Sequence, residues 1–221
     1  MVIDKNEVLR YLGYRGQNID ANIESLLEEC MNELETISKG KYVYNIFDIK
    51  RCNKNIILKD TTLSLSGRDI NKHLMYSDRC ILMASTLGLE VDKHIALYSR
   101  TDLTKGIILD ACASSAVEEL CDCVEEEIKD EANDMGYEIT SRYSPGYGDF
   151  SIRVQKDILD ILKAYERIGL AVNESNIMIP RKSVTAVIGF QKAKCQEKND
   201  KCSGCSQKNC LYRKSGNYNG W

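Results

Sequence analysis

Apolar side chains recur at helical spacing near the start of the chain and then at strand spacing. Between residues 18 and 38 they fall at three- and four-residue steps, which predicts an amphipathic helix capped by Asn18 or Asp20. Residues 41 to 66 contain short runs rich in β-branched and aromatic side chains, YVYNIF, NIILK and TLSLSG, which predict two or three strands. The apolar run RCILMASTLG at residues 79 to 88 predicts a buried central strand.

The clearest helical pattern covers residues 105 to 134, and Gly136 follows it as a left-handed stop. Within this helix, residues 111 to 116, ACASSA, carry little side-chain bulk. Such a surface allows either the close packing of a neighbouring helix or the close approach of a flat ligand. Helix packing is the more common use of such a stretch, and the pattern alone leaves both open.

Three further elements follow the long helix. The pattern predicts a strand, YEITSRY, at residues 137 to 143, then the turn SPGYGD, and then a helix from about Ser151 to Gly169. A last strand, SVTAVIGF at residues 183 to 190, alternates larger apolar side chains with smaller residues. Because strands and helices do not alternate regularly, we expect an α+β fold, with a twisted mixed or largely antiparallel sheet and several helices. The predicted helix has an apolar face formed by Val154, Ile158, Leu162 and Tyr165.

The composition changes sharply near the end of the chain, which predicts a main domain at residues 1–191 and a Cys-rich tail at 192–221. Four of the ten cysteines lie in this tail with the spacing C-x6-C-x2-C-x4-C. Four thiolates so close together predict a metal site, either structural zinc or an iron-sulfur cluster, and the spacing matches neither common pattern. These candidate ligands are Cys195, Cys202, Cys205 and Cys210. The other six cysteines are expected to be structural.

The overall charge excludes some classes of partner. With 30 basic and 33 acidic residues the chain has a formal charge of -3, so we expect no nucleic-acid partner. No apolar stretch is long enough to span a bilayer, and no secretory signal precedes the cysteines, which predicts no membrane contact and a cytoplasmic location. His73 and His94 lie among charged residues, so surface positions are expected for both.

The turn between residues 142 and 147 combines rigidity with suitable chemistry for an amino-acid-like ligand. Pro145 fixes its own φ, and Gly146 lets a ligand approach the backbone. Arg142 offers a guanidinium fork suited to a carboxylate, and Tyr147 offers an aromatic face with a hydroxyl. Taken alone, such a turn is also compatible with a purely structural connection.

Three motifs give the chain a family resemblance. Arg142-Tyr-Ser-Pro-Gly-Tyr147 resembles the Arg-x-x-x-Gly-Tyr signature of the activation domain of cobalamin-dependent methionine synthase. Ser175-x-x-Met178-x-Pro180-x-x-Ser183-Val184 is similar to that family's later loop-and-strand signature, and Ala113-Ser-Ser-Ala-Val-Glu118 to its Ala-rich helix. The Cys-rich tail has no counterpart in the activation region of the multidomain enzyme.

The resemblance implies that the chain binds S-adenosylmethionine for the reductive reactivation of cob(II)alamin on a separate protein. Arg142 would hold the carboxylate, Glu118 the ammonium group, and Ser144 and Gly146 would give backbone contacts. Tyr147 would lie nearest the corrinoid, as the residue closest to the reaction. The family's N-terminal acidic contact has no matching motif here.

The implied partners are a cobalamin-binding methionine synthase or related corrinoid protein and an electron donor such as flavodoxin or ferredoxin. An electron-consuming reaction favours an iron-sulfur cluster over zinc in the tail. Two other functions stay open: a corrinoid-protein chaperone or redox adaptor with a metal-binding tail, and a regulator that binds S-adenosylmethionine as an effector.

Overall fold

The structure of the protein is a computed structural model, and it describes residues 3–53 and 55–192. Helices in this part of the chain are α1 (Lys5–Tyr11), α2 (Ala21–Ile37), α3 (Arg68–His73), α4 (Leu89–Thr101), α5 (Leu103–Asp134), α6 (Val154–Leu162) and α7 (Ala164–Ile168). Strands there are β1 (Lys41–Cys52), β2 (Asn55–Leu58), β3 (Ser64–Ser66), β4 (Ser77–Thr86), β5 (Tyr137–Ile139), β6 (Ala171–Val172), β7 (Met178–Ile179) and β8 (Ser183–Lys192).

The chain divides into two compact units, each assembled from separate segments. The first unit contains the described residues up to Val43, together with Ala84–Glu126 and Leu162–Val184. The second contains Tyr44–Met83, Glu127–Ile161 and the described residues from Thr185 on. The predicted boundary between a main domain and a tail at residue 191 stays a prediction.

Helices α1, α2 and α4 and much of α5 build the first unit. Helix α2 confirms the predicted helix, since the Asp20 carboxylate accepts a hydrogen bond from the backbone N–H of Asn22 at 2.9 Å. The small side chains of α5 pack into the same hydrophobic core as Val8 of α1, and Ser115 Oγ donates to the carbonyl of Asp4 at 3.5 Å. Close helix packing, the more common use of a small-residue stretch, is therefore what these residues do.

The second unit contains most of a six-stranded sheet with the order β3-β2-β1-β4-β8-β5. Strand β1 pairs antiparallel with β2, β2 with β3, and β5 with β8. The predicted α+β fold is confirmed, and so is the central position of the buried run in β4, which lies between β1 and β8.

The predicted last strand is confirmed as β8. Thr185 to Phe190 are buried on both faces of this strand, because Gln155 of α6 and Leu74 next to α3 cover the face of the smaller residues. The predicted helix from Ser151 to Gly169 is split into α6 and α7, because Lys163 adopts a left-handed conformation with φ 51°. Tyr165 is consequently 71% exposed and lies outside the apolar face.

Gly136 and Gly169 stop helices as predicted, with φ values of 76° and 72°. Among the helices of the described residues, none is long and apolar enough to cross a membrane.

Candidate functional site

The candidate site is the segment that follows β5 in the second unit. Strand β5 pairs regularly with β8 up to Ile139 and Phe190, and Tyr143 then forms an isolated bridge with Val187. Four positions separate Ile139 from Tyr143, whereas three separate their partners, so the segment carries one extra residue. An extra residue bends a strand and redirects its side chains. Arg142 lies in this bulge, at the start of the turn over residues 142 to 147.

At the bulge, a side-chain hydroxyl takes the place of a backbone carbonyl in one of the hydrogen bonds between the strands. The carbonyl of Gly189 accepts from the Thr140 N–H at 2.9 Å, and the Gly189 N–H donates to Thr140 Oγ1 at 2.8 Å. Below the bulge, Nε2 of His73 lies 2.9 Å from the same hydroxyl oxygen. The predicted strand over residues 137 to 143 is thus correct in position but regular only up to Ile139.

The turn itself is held by backbone hydrogen bonds. The Gly146 N–H donates to the Phe150 carbonyl at 2.8 Å, and the Phe150 N–H donates to the Tyr147 carbonyl at 3.0 Å. Pro145 and Phe150 are buried, while Gly146 is exposed with φ 95°, a conformation that favours glycine. The turn therefore presents an open stretch of backbone on a rigid base.

Arg142, Ser144, Gly146 and Tyr147 lie together on this one turn. Arg142 is half-buried, with its Nη1 atom shielded from solvent, and the Tyr147 side chain is 55% exposed. Cδ1 of Ile152 lies 3.3 Å from a Cβ added at Gly146, and no other contact within 4 Å comes from the described residues beyond its chain neighbours. A guanidinium, an accessible backbone and an exposed phenol are groups suited to an amino-acid-like ligand.

Helix α3 packs against the turn and contributes residues that the sequence pattern did not reveal. The Asp149 carboxylate accepts hydrogen bonds from the backbone N–H groups of Arg68 at 2.7 Å and Asp69 at 2.9 Å. These bonds lower the pKa of Asp149, because they stabilise its ionised form. A side chain at Gly148 would collide with the Asp69 carboxylate, which places Asp69 directly beside the turn. Nothing in the local sequence signals this long-range contact.

Glu118 belongs to the first unit, on an exposed position of α5. Burial raises the pKa of Tyr11, and the charge of Glu118 raises it further, which places the carboxylate near that phenol of α1. The structure thus brings four of the predicted ligand contacts together on the turn and places Glu118 in the other unit.

The second resemblance motif is also in the first unit. Ser183 Oγ donates to the carbonyl of Pro180 at 2.7 Å and lies 2.8 Å from Thr86 Oγ1. The Nζ of Lys182 contacts the Ser114 hydroxyl at 2.8 Å and the Asp110 carboxylate at 2.9 Å. These contacts tie the start of β8 to β4 and α5, so the motif has a clear structural role.

Both histidines depart from the predicted surface positions. His73 is half-buried beneath the bulge, and burial lowers its pKa to about 4, so its imidazole is neutral at pH 7. His94 Nδ1 lies 2.7 Å from Glu33 Oε1 in a polar cluster of the first unit. Each histidine has partners in neighbouring elements that charged neighbours along the sequence could not indicate.

The cysteines of the described residues divide into two groups. Cys30, Cys80, Cys112 and Cys121 are buried, as predicted for structural cysteines, whereas Cys52 and Cys123 are exposed. Burial raises the pKa of the Cys30 thiol to about 11 and that of Cys80 to about 12, so both stay protonated. The predicted metal ligands Cys195, Cys202, Cys205 and Cys210 lie outside the described residues. Within residues 3–53 and 55–192, no group of three or more histidine, cysteine or acidic side chains is arranged to hold a metal.

Comparison with known proteins gives one clear result. No protein-family model matches the chain, and no curated protein sequence matches it. Solved structures do match, and one of them is a crystal structure of the MetH reactivation domain bound to AdoHcy. That structure is 16% identical, has a TM-score of 0.67, and the match covers 88% of this chain and 76% of the other.

The chain therefore has the fold of a methionine synthase reactivation domain, as the sequence motifs predicted. At this level of identity the match establishes the fold. The fold match does not assign ligand contacts, and the support for those comes from the geometry of the turn.

Proposed function

We propose that this chain binds S-adenosylmethionine on the 142–147 turn and presents it to a corrinoid on a separate protein, for the reductive reactivation of cob(II)alamin. The observation that carries the proposal is the turn itself. It brings Arg142, an open backbone at Gly146 and the exposed Tyr147 to one place, on the fold of a domain whose solved structure binds AdoHcy. The chain would act in trans.

The residues of the turn would act by binding and orientation. Arg142 would pair with the ligand carboxylate through its planar fork, and the backbone at Ser144 and Gly146 would contact the amino-acid portion. Glu118 is proposed for the ammonium group on the resemblance alone. Tyr147 is exposed, so its ring is available to a large planar partner such as a corrinoid.

S-adenosylmethionine would supply the methyl group, and cobalamin on the partner would accept it while a flavodoxin or ferredoxin supplies the electron. The protein's contribution would be position and orientation, the usual division of labour with cofactors. A single rigid turn with few ionisable groups suits that task. A reducing, cytoplasmic setting is part of the proposal.

The Cys-rich tail is proposed to hold a metal through Cys195, Cys202, Cys205 and Cys210. An iron-sulfur cluster would give the reactivation a local electron carrier, and zinc would only order the tail. The support for this site is the spacing of the four cysteines and the lysines around them, which favour thiolates.

The test is calorimetric titration of anaerobically purified protein with AdoHcy and with S-adenosylmethionine, and with adenosine as the control ligand. Saturable binding that depends on the amino-acid portion supports the proposal. A second assay mixes the protein with a cob(II)alamin methyltransferase, a reductant and S-adenosylmethionine, and follows methylcobalamin by its absorbance.

No binding of either ligand, with or without the corrinoid partner, would refute the proposal. Binding of the corrinoid protein without any ligand effect would instead favour the chaperone or redox-adaptor function. Binding of S-adenosylmethionine without methylation of the corrinoid would favour the regulator.

A further inference from the structure

His73 lies where α3 meets the strand that leads into the candidate site. Its imidazole is stacked on the ring of Tyr143, with centroids 5.0 Å apart and 28° between the planes. The Tyr143 ring also stacks on Phe150, with centroids 6.1 Å apart and an interplanar angle of 29°. Tyr143 and Phe150 flank the turn on its two sides in sequence. The imidazole thus contacts the aromatic group on which the turn is built.

The hydrogen bonds around Thr140 fix the orientation of this imidazole. The Thr140 hydroxyl oxygen accepts from the Gly189 N–H, and it lies 2.9 Å from His73 Nε2 and 3.1 Å from the carbonyl of Ser141. The neutral imidazole therefore reaches the bulge through a hydrogen bond between Nε2 and the Thr140 hydroxyl.

These contacts act on the backbone that carries the site. Thr140 and Tyr143 bracket the bulge, and Arg142 lies between them. On the far side of the turn, the Tyr143 hydroxyl lies 3.4 Å from the Tyr147 carbonyl, which it can donate to. His73 thereby contacts Thr140 and Tyr143, which hold the segment that positions Arg142 and Tyr147. None of the contacts described joins His73 to Arg142 or Tyr147 directly.

We propose that His73 is a positioning residue: by stacking on Tyr143 and forming a hydrogen bond with Thr140, it holds the bulge and turn in the conformation that binds the ligand. The effect of His73 on ligand binding rests on the proposed function, whereas its effect on the conformation of residues 140 to 150 does not. The backbone of the bulge departs from regular strand geometry, and the contacts of the imidazole fix its conformation. Side chains that only touch a ligand-binding segment contribute to affinity by such preorganisation.

The test compares His73→Asn, which removes the ring, with His73→Phe, which keeps an aromatic ring and loses the hydrogen bond to Thr140. The matched control is His94→Asn, since His94 is also half-buried and hydrogen-bonded but lies in the first unit. Two readouts are measured for each protein. These are the amide hydrogen exchange of peptides covering residues 140 to 150 and the dissociation constant for AdoHcy.

We expect His73→Asn to speed exchange in this segment by about tenfold or more, with β4 unchanged, and to weaken AdoHcy binding by a similar factor. His73→Phe should give a smaller effect on both readouts, because it retains the stacking. His94→Asn should leave the segment and the affinity as in the wild type. If both His73→Asn and His73→Phe exchange residues 140 to 150 at the wild-type rate, the proposal is overturned.

The outcomes separate this inference from the proposed function. If the wild type does not bind AdoHcy, the proposed function fails, while the exchange data still decide whether His73 holds the segment. If His73→Asn unfolds the chain, seen as fast exchange in β4, the His73→Phe variant decides. Faster exchange confined to the segment in His73→Phe then supports the role, and wild-type exchange there overturns it.

Discussion

The carboxylate of Asp149 binds the backbone N–H of Asp69 at 2.9 Å, across 80 positions of the sequence. A second bond, from the Arg68 N–H at 2.7 Å, makes Asp149 the cap of α3 from outside the helix. The side chain of Asp69 in turn lies against Gly148. The turn is thereby fixed at both ends within the second unit. The bulge holds the end that precedes it, and the Asp149 contact holds the end that follows it.

Replacing Arg142 should abolish most ligand affinity without unfolding the protein. Arg142→Ala removes a charge-assisted bidentate contact, whose loss is about 1.5–3 kcal/mol, or about a tenfold to hundredfold weaker AdoHcy affinity. Arg142→Lys should recover part of the affinity only, because lysine keeps the charge and loses the fork. Titration calorimetry measures both variants. Arg153→Ala, at an exposed position on the same segment, should bind as the wild type does.

Replacing Tyr147 should affect methyl transfer more than stability. The side chain is 55% exposed, so Tyr147→Ala should change the free energy of unfolding by less than about 1 kcal/mol. The rate of methylcobalamin formation with the partner should fall by about tenfold or more, as expected for a lost positioning contact. Tyr165→Ala, which removes a ring that is 71% exposed, is the control. Equal rates for the two variants would argue against a corrinoid contact at Tyr147.

A side chain at Gly148 should cost more stability than one at Gly136. The φ of Gly148 is 54°, and an added Cβ would collide with Asp69 and lie 2.9 Å from the Tyr143 hydroxyl. Gly136 also has a positive φ, 76°, but no atom lies within 4 Å of an added Cβ. Gly136→Ala should cost about 1 kcal/mol for its backbone alone, and Gly148→Ala about 1–3 kcal/mol more. Urea unfolding compares them, and equal losses would contradict the predicted collision.

The Asp149 contact should make stability depend on pH in the acid range. Hydrogen bonds from α3 lower the pKa of Asp149 below its ordinary value of 3.8, so its contribution is complete above that value. The contribution is lost as the pH falls through the lowered value. The urea midpoints of the wild type and Asp149→Asn should therefore differ at pH 7 and converge in acid. Asp130→Asn, an exposed carboxylate on α5, should show no such pattern.

The tail should bind metal through its four cysteines. Protein purified without oxygen should contain iron with the visible absorption of a cluster, or else zinc, as measured by elemental analysis and absorbance. Cys205→Ser should lose most of that metal, because the removal of one of four thiolates strongly weakens a tetrahedral site. Cys123→Ser, at an exposed cysteine of α5, should retain it. Metal-free wild-type protein would remove the tail site from the proposal.

Periodicity located most of the elements because it reports local conformation and burial. The helix capped by Asp20, the long helix that stops before Gly136, and the buried run of β4 follow from residues near one another in the sequence. The same reasoning failed at Lys163, where a single left-handed residue divides a helix. It located β8 but could not show that both faces of this strand are covered, since only tertiary packing reveals that.

The sequence by itself determined the fold class and the turn that combines Arg142 with Tyr147, because those features depend on side-chain type and spacing. Only the tertiary structure decided that His73, Asp69 and Asp149 belong with that turn. It also revealed the extra residue in the strand that carries Arg142. These features depend on strand register and on contacts between residues about 80 positions apart, and neither is encoded in any local pattern.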